Sequence, residues 1–222
     1  MQKRLNIFCG HYGSGKTEVS LNFAIKLAKQ GKKVSIVDID IVNPYFRTAD
    51  AKSILKEYGI ELIASEFANS NLDIPTIPQE VKKCFYDKDR EIVFDVGGDD
   101  DGAYALGQFK SFFENEEYDM HFVVNTKRPL CSTSDELFEM AKNIEVASRL
   151  KFTDIANNTN VGKLTDENTL LSDYNEIVIL SEKLDIPISM QCGLEASLVN
   201  LPEELKKDKF PMEIYIKMPW EL

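Results

Sequence analysis

The residues from 10 to 17 carry the chemistry that is easiest to identify in this sequence. They match the phosphate-binding loop pattern G-x-x-x-x-G-K-[ST] and are, in order, Gly10, His11, Tyr12, Gly13, Ser14, Gly15, Lys16 and Thr17. Glycines let backbone N–H groups curl around a polyphosphate, Lys16 reaches the β and γ phosphates, and the Thr17 hydroxyl is a ligand for Mg²⁺. The segment predicts a nucleoside triphosphate site in which Lys16 faces solvent rather than the core. The alternative is a glycine-rich turn with a chance Lys-Thr pair.

Three carboxylates complement this loop. Asp38 and Asp40 follow the apolar run at 34–37, and carboxylates at i and i+2 point the same way if the strand continues. Asp95 ends a second apolar run, and Gly98 stands three residues later. A carboxylate at that place holds a metal-bound water, and a glycine N–H there senses the γ phosphate. The alternative for Asp40 is that it caps the following helix.

The segment Asn125-Thr126-Lys127-Arg128-Pro129 helps to predict whether the bound nucleotide carries adenine or guanine. A guanine-reading N-K-x-D or T-K-x-D motif would place an aspartate where its carboxylate accepts the base N–H protons. The sequence has Pro129 there, so it predicts ATP rather than GTP.

Other groups that bind metals are scattered. The four cysteines are far apart, without a C-x-C or C-x-x-C pair, and the chain has two histidines, so we expect reduced thiols and no metal except Mg²⁺. We predict that the acidic run from Asp99 to Gly102 is a solvated turn and not a calcium site.

The elements that must position these residues alternate between strand and helix. This pattern predicts a three-layer, doubly wound α/β fold with a mostly parallel sheet of about seven strands, in one domain over residues 1–222. The predicted strands are Leu5–Cys9, Val34–Val37, Ile60–Ala64, Arg90–Asp95, Met120–Val124, Phe152–Ala156 and Ile186–Met190, and Glu213–Lys217 is predicted as an edge strand or hairpin arm. The predicted helices are Thr17–Lys29, Gln79–Tyr86, Ser134–Leu150 and Thr165–Leu184.

Two segments have no clear period. Residues 44–58 are expected to be helical or irregular. Residues 65–78 are rich in Asn, Ser and Pro, which is typical both of a switch-like, partner-facing loop and of an ordinary surface connection.

Composition limits the partners and the compartment. A formal net charge of −11 and a pI near 4.8 disfavour nucleic acid as the main partner. The sequence has neither a signal-peptide pattern nor an apolar run of the ~18 residues that a membrane span requires. We therefore expect a soluble cytoplasmic protein that does not contact a membrane.

The loop together with Asp38-x-Asp40 resembles the MinD/ParA-type P-loop ATPases, over the chain from Leu5 to about Met190. The resemblance implies that Asp38 helps to organise Mg²⁺ and its water, and that Asp40 positions the water that attacks the γ phosphate. It also implies that an Asn at the end of the strand after residue 152 pairs with the adenine edge, and Asn157 and Asn158 both match that position. An amide donates and accepts at once, which suits adenine.

The sequence departs from this family at one position. The family has a signature lysine directly after the first loop glycine, which crosses a dimer interface to the partner's nucleotide, whereas this chain has His11. We therefore expect a monomer, or at most a weak nucleotide-dependent homodimer.

These residues predict Mg²⁺-dependent ATP binding and slow hydrolysis, coupled to the recruitment or release of a protein client of unknown identity. Lys16 and Mg²⁺ would neutralise phosphate charge while Asp40 orients water. Three alternatives remain: an ATP-dependent small-molecule synthetase or kinase of the same fold, a GTPase, and a nucleotide switch that does not hydrolyse.

Overall fold

A computed structural model describes residues 3–39, 48–64, 79–98 and 100–216. Asp40 and the segment 65–78 lie outside these ranges. The strands of the described part, in chain order, are β1 (Leu5–Cys9), β2 (Lys33–Asp38), β3 (Glu61–Ala64), β4 (Arg90–Asp95), β5 (Tyr118–Val124), β6 (Asp154–Asn157), β7 (Ile188–Leu194) and β8 (Lys209–Met212).

All eight described strands form one sheet in the order β3-β2-β4-β1-β5-β6-β7-β8, and every neighbouring pair is parallel. The strands therefore end at the same edge of the sheet. Because β1 lies between β4 and β5, the loop that follows β1 is flanked by the segments that follow those two strands. Ligands of open α/β sheets bind at this carboxyl edge.

Helices connect the strands, as parallel pairing requires. Within the described residues they are α1 (Lys16–Lys29), α2 (Thr48–Glu57), α3 (Gln79–Tyr86), α4 (Asp100–Gly107), α5 (Lys110–Phe113), α6 (Ser134–Ser148), α7 (Glu167–Leu171), α8 (Tyr174–Leu184) and α9 (Glu195–Leu198). None of these helices combines the length and apolar composition that crossing a bilayer requires.

Two apolar cores make the fold a three-layer structure. On one face of the sheet, α1 and α2 pack on strand residues that include Phe8 and Val93. On the other face, α3, α4, α5, α6 and α8 pack on residues that include Phe94 and Phe122. The strands are buried from both sides, which explains their nearly continuous apolar runs. The predicted fold class is confirmed.

The edge of the sheet differs from the prediction. The described residues contribute eight strands rather than about seven, and the strand beside β7 at this edge is β8; Lys217 of the predicted edge strand lies outside the described residues. Pro211 lies within β8, where an edge strand tolerates a residue without an N–H group. The described residues 213–216 form no strand, because side chains of α1 hydrogen bond to their backbone.

One predicted helix and one predicted turn were also wrong. The helix predicted over 165–184 is divided into α7 and α8 at Ser172, whose hydroxyl bonds the Thr169 carbonyl at 2.9 Å and competes with the backbone pattern. The acidic run that was predicted as a turn begins α4 at Asp100. Carboxylates are favourable at a helix N-terminus, because backbone N–H groups there carry partial positive charge.

Candidate nucleotide site

The loop between β1 and α1 has the close backbone approaches that its glycines permit. Gly13 and Gly15 have φ values of 76° and 87°, in the left-handed region that other residues rarely adopt. A Cβ on Gly10 would lie 2.2 Å from the carbonyl oxygen of Val123, at the end of β5. The Ser14 N–H closes the turn by donating to the His11 carbonyl at 3.1 Å. This curled backbone has the form that a phosphate-binding loop requires.

Lys16 and Gly98 lie against each other across this loop. Lys16 is only 3% exposed, so the expectation that it faces solvent was wrong, and its ammonium donates to the His11 carbonyl at 3.3 Å. A Cβ on Gly98 would lie 2.6 Å from the Tyr12 nitrogen and 2.9 Å from Lys16 Nζ. Only a glycine lets the segment after β4 approach this closely. The contact of Gly98 with the γ phosphate stays a prediction.

Three of the predicted metal-site residues come together. Asp38 and Asp95 are neighbours in the β2–β4 register, and the Ile39 N–H donates to the Asp95 carbonyl at 2.9 Å. Thr17, Asp38 and Asp95 are the polar residues that line a small cleft. The other walls of this cleft are Leu21, Ile36, Ala51, Leu55 and Leu62. A hydroxyl and two carboxylates are the hard oxygen donors that Mg²⁺ prefers, so these residues fit that ion.

The two asparagines after β6 bind protein groups. The Asn158 amide donates to the Ser14 carbonyl at 2.8 Å, and a Cβ on Gly15 would lie 2.3 Å from its nitrogen. Asn157 is fully buried and donates to Gln191 Oε1 at 2.9 Å. Asn158 therefore supports the phosphate loop, and Asn157 ties β6 to β7. Their contact with adenine stays a prediction.

Arg128 is a loop contact that the sequence reasoning missed. Its Nε donates to the Gly13 carbonyl at 2.8 Å, so an exposed guanidinium lies on the β5 side of the loop, opposite Gly98. Its neighbour Lys127 pairs at 2.7 Å with Asp173, which comes from the junction of α7 and α8. Two adjacent cations shortly after a strand are unusual in so acidic a chain, and this pattern could have indicated a contact with the phosphate loop.

Local electrostatics leave two groups of the site uncharged. Burial, and then the neighbouring Lys16 charge, lower the pKa of His11 below its usual value, so its imidazole is neutral at pH 7. Burial raises the pKa of the Cys9 thiol far above its usual value, against the opposing effect of Lys16. Lys16 is therefore the cation that the loop itself contributes.

The sequence comparisons match the first part of the chain. A family model described as ParA, NUBPL iron-transfer P-loop NTPase, matches residues 1–64, which include the loop and Asp38. An iron-sulfur cluster carrier protein of Saccharolobus solfataricus is 31% identical over 87 residues. That match covers 33% of this chain and 29% of the relative, so this chain spans less than a third of the relative's length.

Solved structures match over most of the chain. The cell division protein FtsY of Thermotoga maritima has a TM-score of 0.58 and 16% identity, over 85% of this chain and 61% of that one. FtsY of Mycoplasma mycoides has a TM-score of 0.53 and 19% identity, over 86% of this chain and 60% of that one. At these identities the likeness shows the fold alone. The chain is thus similar to ParA-type P-loop NTPases over residues 1–64, which include the phosphate loop, and it shares the fold of these solved structures.

Proposed function

We propose that the chain is a Mg²⁺-dependent ATP-binding protein with slow ATPase activity, which acts as a nucleotide-controlled switch for a protein client. The observation that carries this proposal is the convergence of Thr17, Asp38 and Asp95 beside the loop that holds Lys16. The oxygen donors and the loop lie at the ends of neighbouring strands, so one polyphosphate with its ion would contact both.

The residues of this chain would act by position and charge. The loop N–H groups and Lys16 bind the phosphates, Thr17, Asp38 and Asp95 hold Mg²⁺, and Asp40 orients water, as the family resemblance implies. Bound Mg²⁺ would neutralise charge that develops on the phosphate oxygens. Such a site binds ATP firmly and hydrolyses it slowly, which suits a switch.

The environment of the cysteines argues against an iron-sulfur cluster bound by this chain's own thiols. All four cysteines are buried, and a cluster ligand must be a deprotonated thiolate. Burial raises the pKa of each thiol, and that of Cys131 to about 11. Among the described residues, no three His, Cys, Asp or Glu side chains group as a metal site. We therefore propose that a protein, rather than a cluster, responds to the nucleotide.

Calorimetry with Mg-ATP and Mg-GTP tests this function, and we expect tighter binding of ATP. Position 129 is a proline, and the nearby Asp173 carboxylate is committed to Lys127 at 2.7 Å and Thr126 at 3.0 Å. Phosphate release from ATP should be slow in the wild type. It should be absent in Asp40→Ala, which we expect still to bind ATP.

The outcomes of this experiment separate the alternatives. Tighter GTP binding that Asp173→Ala abolishes would identify Asp173 as a guanine reader and contradict the ATP assignment. ATP turnover that requires an added small carboxylic acid would indicate a synthetase. Binding without any phosphate release, alone or with cell extract, would indicate a switch that does not hydrolyse.

We also propose that nucleotide drives at most weak dimerisation, because the neutral His11 imidazole is a poor substitute for the signature lysine. Negative phosphate charge favours the protonated imidazole, so any dimer that His11 supports should strengthen as the pH falls. Sedimentation of Asp40→Ala with Mg-ATP should show mainly monomer at about pH 8 and more dimer at about pH 6. A tight dimer at both pH values that His11→Ala leaves unchanged would contradict this role.

A further inference from the structure

The residues directly after β8 are bound to the first turn of α1. Residues 213–216 run along this helix, and we call them the strap. The Glu18 carboxylate accepts the backbone N–H groups of Tyr215, at 2.7 Å, and of Ile216, at 3.2 Å. Glu18 directly follows Thr17 of the phosphate loop. The strap is therefore fixed to the residue next to the candidate metal ligand.

Asn22 holds the near end of the strap one helical turn further along α1. Its side-chain nitrogen donates to the Glu213 carbonyl at 2.9 Å, and its side-chain oxygen accepts the Glu213 N–H at 2.8 Å. The same nitrogen donates to the Glu18 carbonyl at 2.8 Å, which fixes the side chain in place. Glu18 and Asn22 thus bind the strap through its backbone, as a neighbouring strand would.

The strap also contacts the end of α2. Tyr215 and Ile216 pack against the core between α1 and α2, as does Tyr58, just beyond α2. The Lys29 ammonium lies 5.3 Å from the centre of the Tyr58 ring and 3.8 Å from the Glu213 carboxylate. The strap therefore bridges two helices.

These helices follow the two halves of the candidate site. The helix α1 begins at Lys16 in the phosphate loop, and α2 follows β2, which ends at Asp38. The strap therefore contacts the helix that begins in the phosphate loop and the helix that follows the Asp38 strand. A half-buried glutamate is also costly here, since its carboxylate gives up water and gains two backbone N–H groups of the strap in exchange. Packing alone would favour an apolar residue at position 18.

We propose that the strap is a latch on the nucleotide site: its docking on Glu18 and Asn22 holds the first turn of α1 in the geometry that binds phosphate, and bound nucleotide in turn stabilises the docked strap. The proposal rests on the nucleotide-binding function proposed above. Coupling between two sites is reciprocal, so each half of the statement predicts the other.

Hydrogen exchange on the full chain tests one half. We expect Mg-ATP to slow exchange of the Tyr215 and Ile216 amides by about five-fold or more, the lower end of common couplings. The Lys151 amide is the matched control, because it also donates to a side-chain oxygen, that of Tyr118 at 3.0 Å. Tyr118 begins β5, so this bond lies at the amino ends of the strands, away from the nucleotide site. The exchange rate of the Lys151 amide should not change.

Substitutions test the other half. Glu18→Ala and Ile216→Pro each remove a bond between helix and strap, and each should weaken ATP binding about five-fold or more. The affinity of the double variant for ATP should equal that of whichever single variant binds ATP less tightly, because both changes release the same latch. The control Glu204→Gln removes an exposed charge shortly before β8 and leaves every strap contact in place, and it should bind ATP as the wild type does.

The sign of the Glu18→Ala effect separates the latch from simple electrostatics. Loss of a negative charge beside the phosphates would by itself tighten ATP binding. Unchanged or tighter binding in Glu18→Ala, or equal strap exchange with and without Mg-ATP, overturns the latch. If the wild type binds no ATP, the proposed function fails as well. Because exchange is measured on the wild type, the test stands even if a variant does not fold.

Discussion

Replacing Lys16 by alanine is expected to remove most of the affinity for Mg-ATP. Lys16 is 3% exposed as a residue, and its ammonium donates to the His11 carbonyl within the curled loop, where water screens its charge poorly. Truncating one partner of a buried charge pair costs about 2–5 kcal/mol, which is a loss of roughly 30-fold to several thousand-fold in affinity. Isothermal calorimetry with Mg-ATP measures this loss directly.

The control for Lys16→Ala is Lys26→Ala, which removes the same charge from an exposed position on the same helix. Lys26→Ala should bind ATP as the wild type does. Because Lys16 is buried, both variants must also be melted without nucleotide, to separate loss of binding from loss of fold. When the Mg-ATP concentration is 100 times the Kd of the wild type, bound ligand raises the unfolding free energy of the wild type by about 2.7 kcal/mol. At the same Mg-ATP concentration, the unfolding free energy of Lys16→Ala should hardly rise. Equal ligand stabilisation in Lys16→Ala would contradict the assignment of the loop.

The sequence predicted where Asp38 and Asp95 lie in the sheet, whereas their role as metal ligands stays a prediction. Thr17, Asp38 and Asp95 follow or end short apolar runs, and parallel strands end at one edge, so period and position were sufficient to bring them together. Local spacing also identified the loop glycines. The structure adds two reasons for glycine at position 15: its φ is 87°, and the Asn158 amide approaches it from the end of β6.

The contacts that the sequence did not reveal join residues far apart in the chain. Arg128 reaches Gly13 across 115 residues, and Glu18 reaches Tyr215 across 197. Neither pair belongs to a local pattern, because the sheet order that makes them neighbours is a property of the whole fold. The burial of Lys16 was missed for the same reason: Gly98 covers it from β4.

Removing the Asp154 carboxylate is expected to destabilise the fold by about 3 kcal/mol, since each buried donor left without an acceptor costs roughly 1–3 kcal/mol. Asp154 is 7% exposed and accepts a hydrogen bond from His121 Nδ1 at 2.7 Å and another from the Ser189 hydroxyl. These bonds join β5, β6 and β7 beneath the loop that carries Asn158. Urea unfolding of Asp154→Ala measures the loss.

The pH dependence of this loss identifies its cause. Burial would raise the pKa of Asp154, but hydrogen bonds from His121, Ser189 and Thr153 outweigh it, so the pKa lies below its usual value. A carboxyl group with a lowered pKa stabilises the fold above its unfolded-state pKa of about 3.9, and this stabilisation is lost as the pH falls through the folded-state value. The difference in unfolding free energy between wild type and Asp154→Ala should therefore be constant above about pH 5 and narrow below about pH 4.

The matched control is Asp135→Ala, which removes a carboxylate that pairs with Lys183 at 2.6 Å but is 90% exposed. Water and salt screen that pair, so its loss should cost less than about 1 kcal/mol. A cost for Asp154→Ala as small as that of Asp135→Ala, or a difference from wild type that does not narrow in acid, would show that the buried carboxylate is not what joins these three strands.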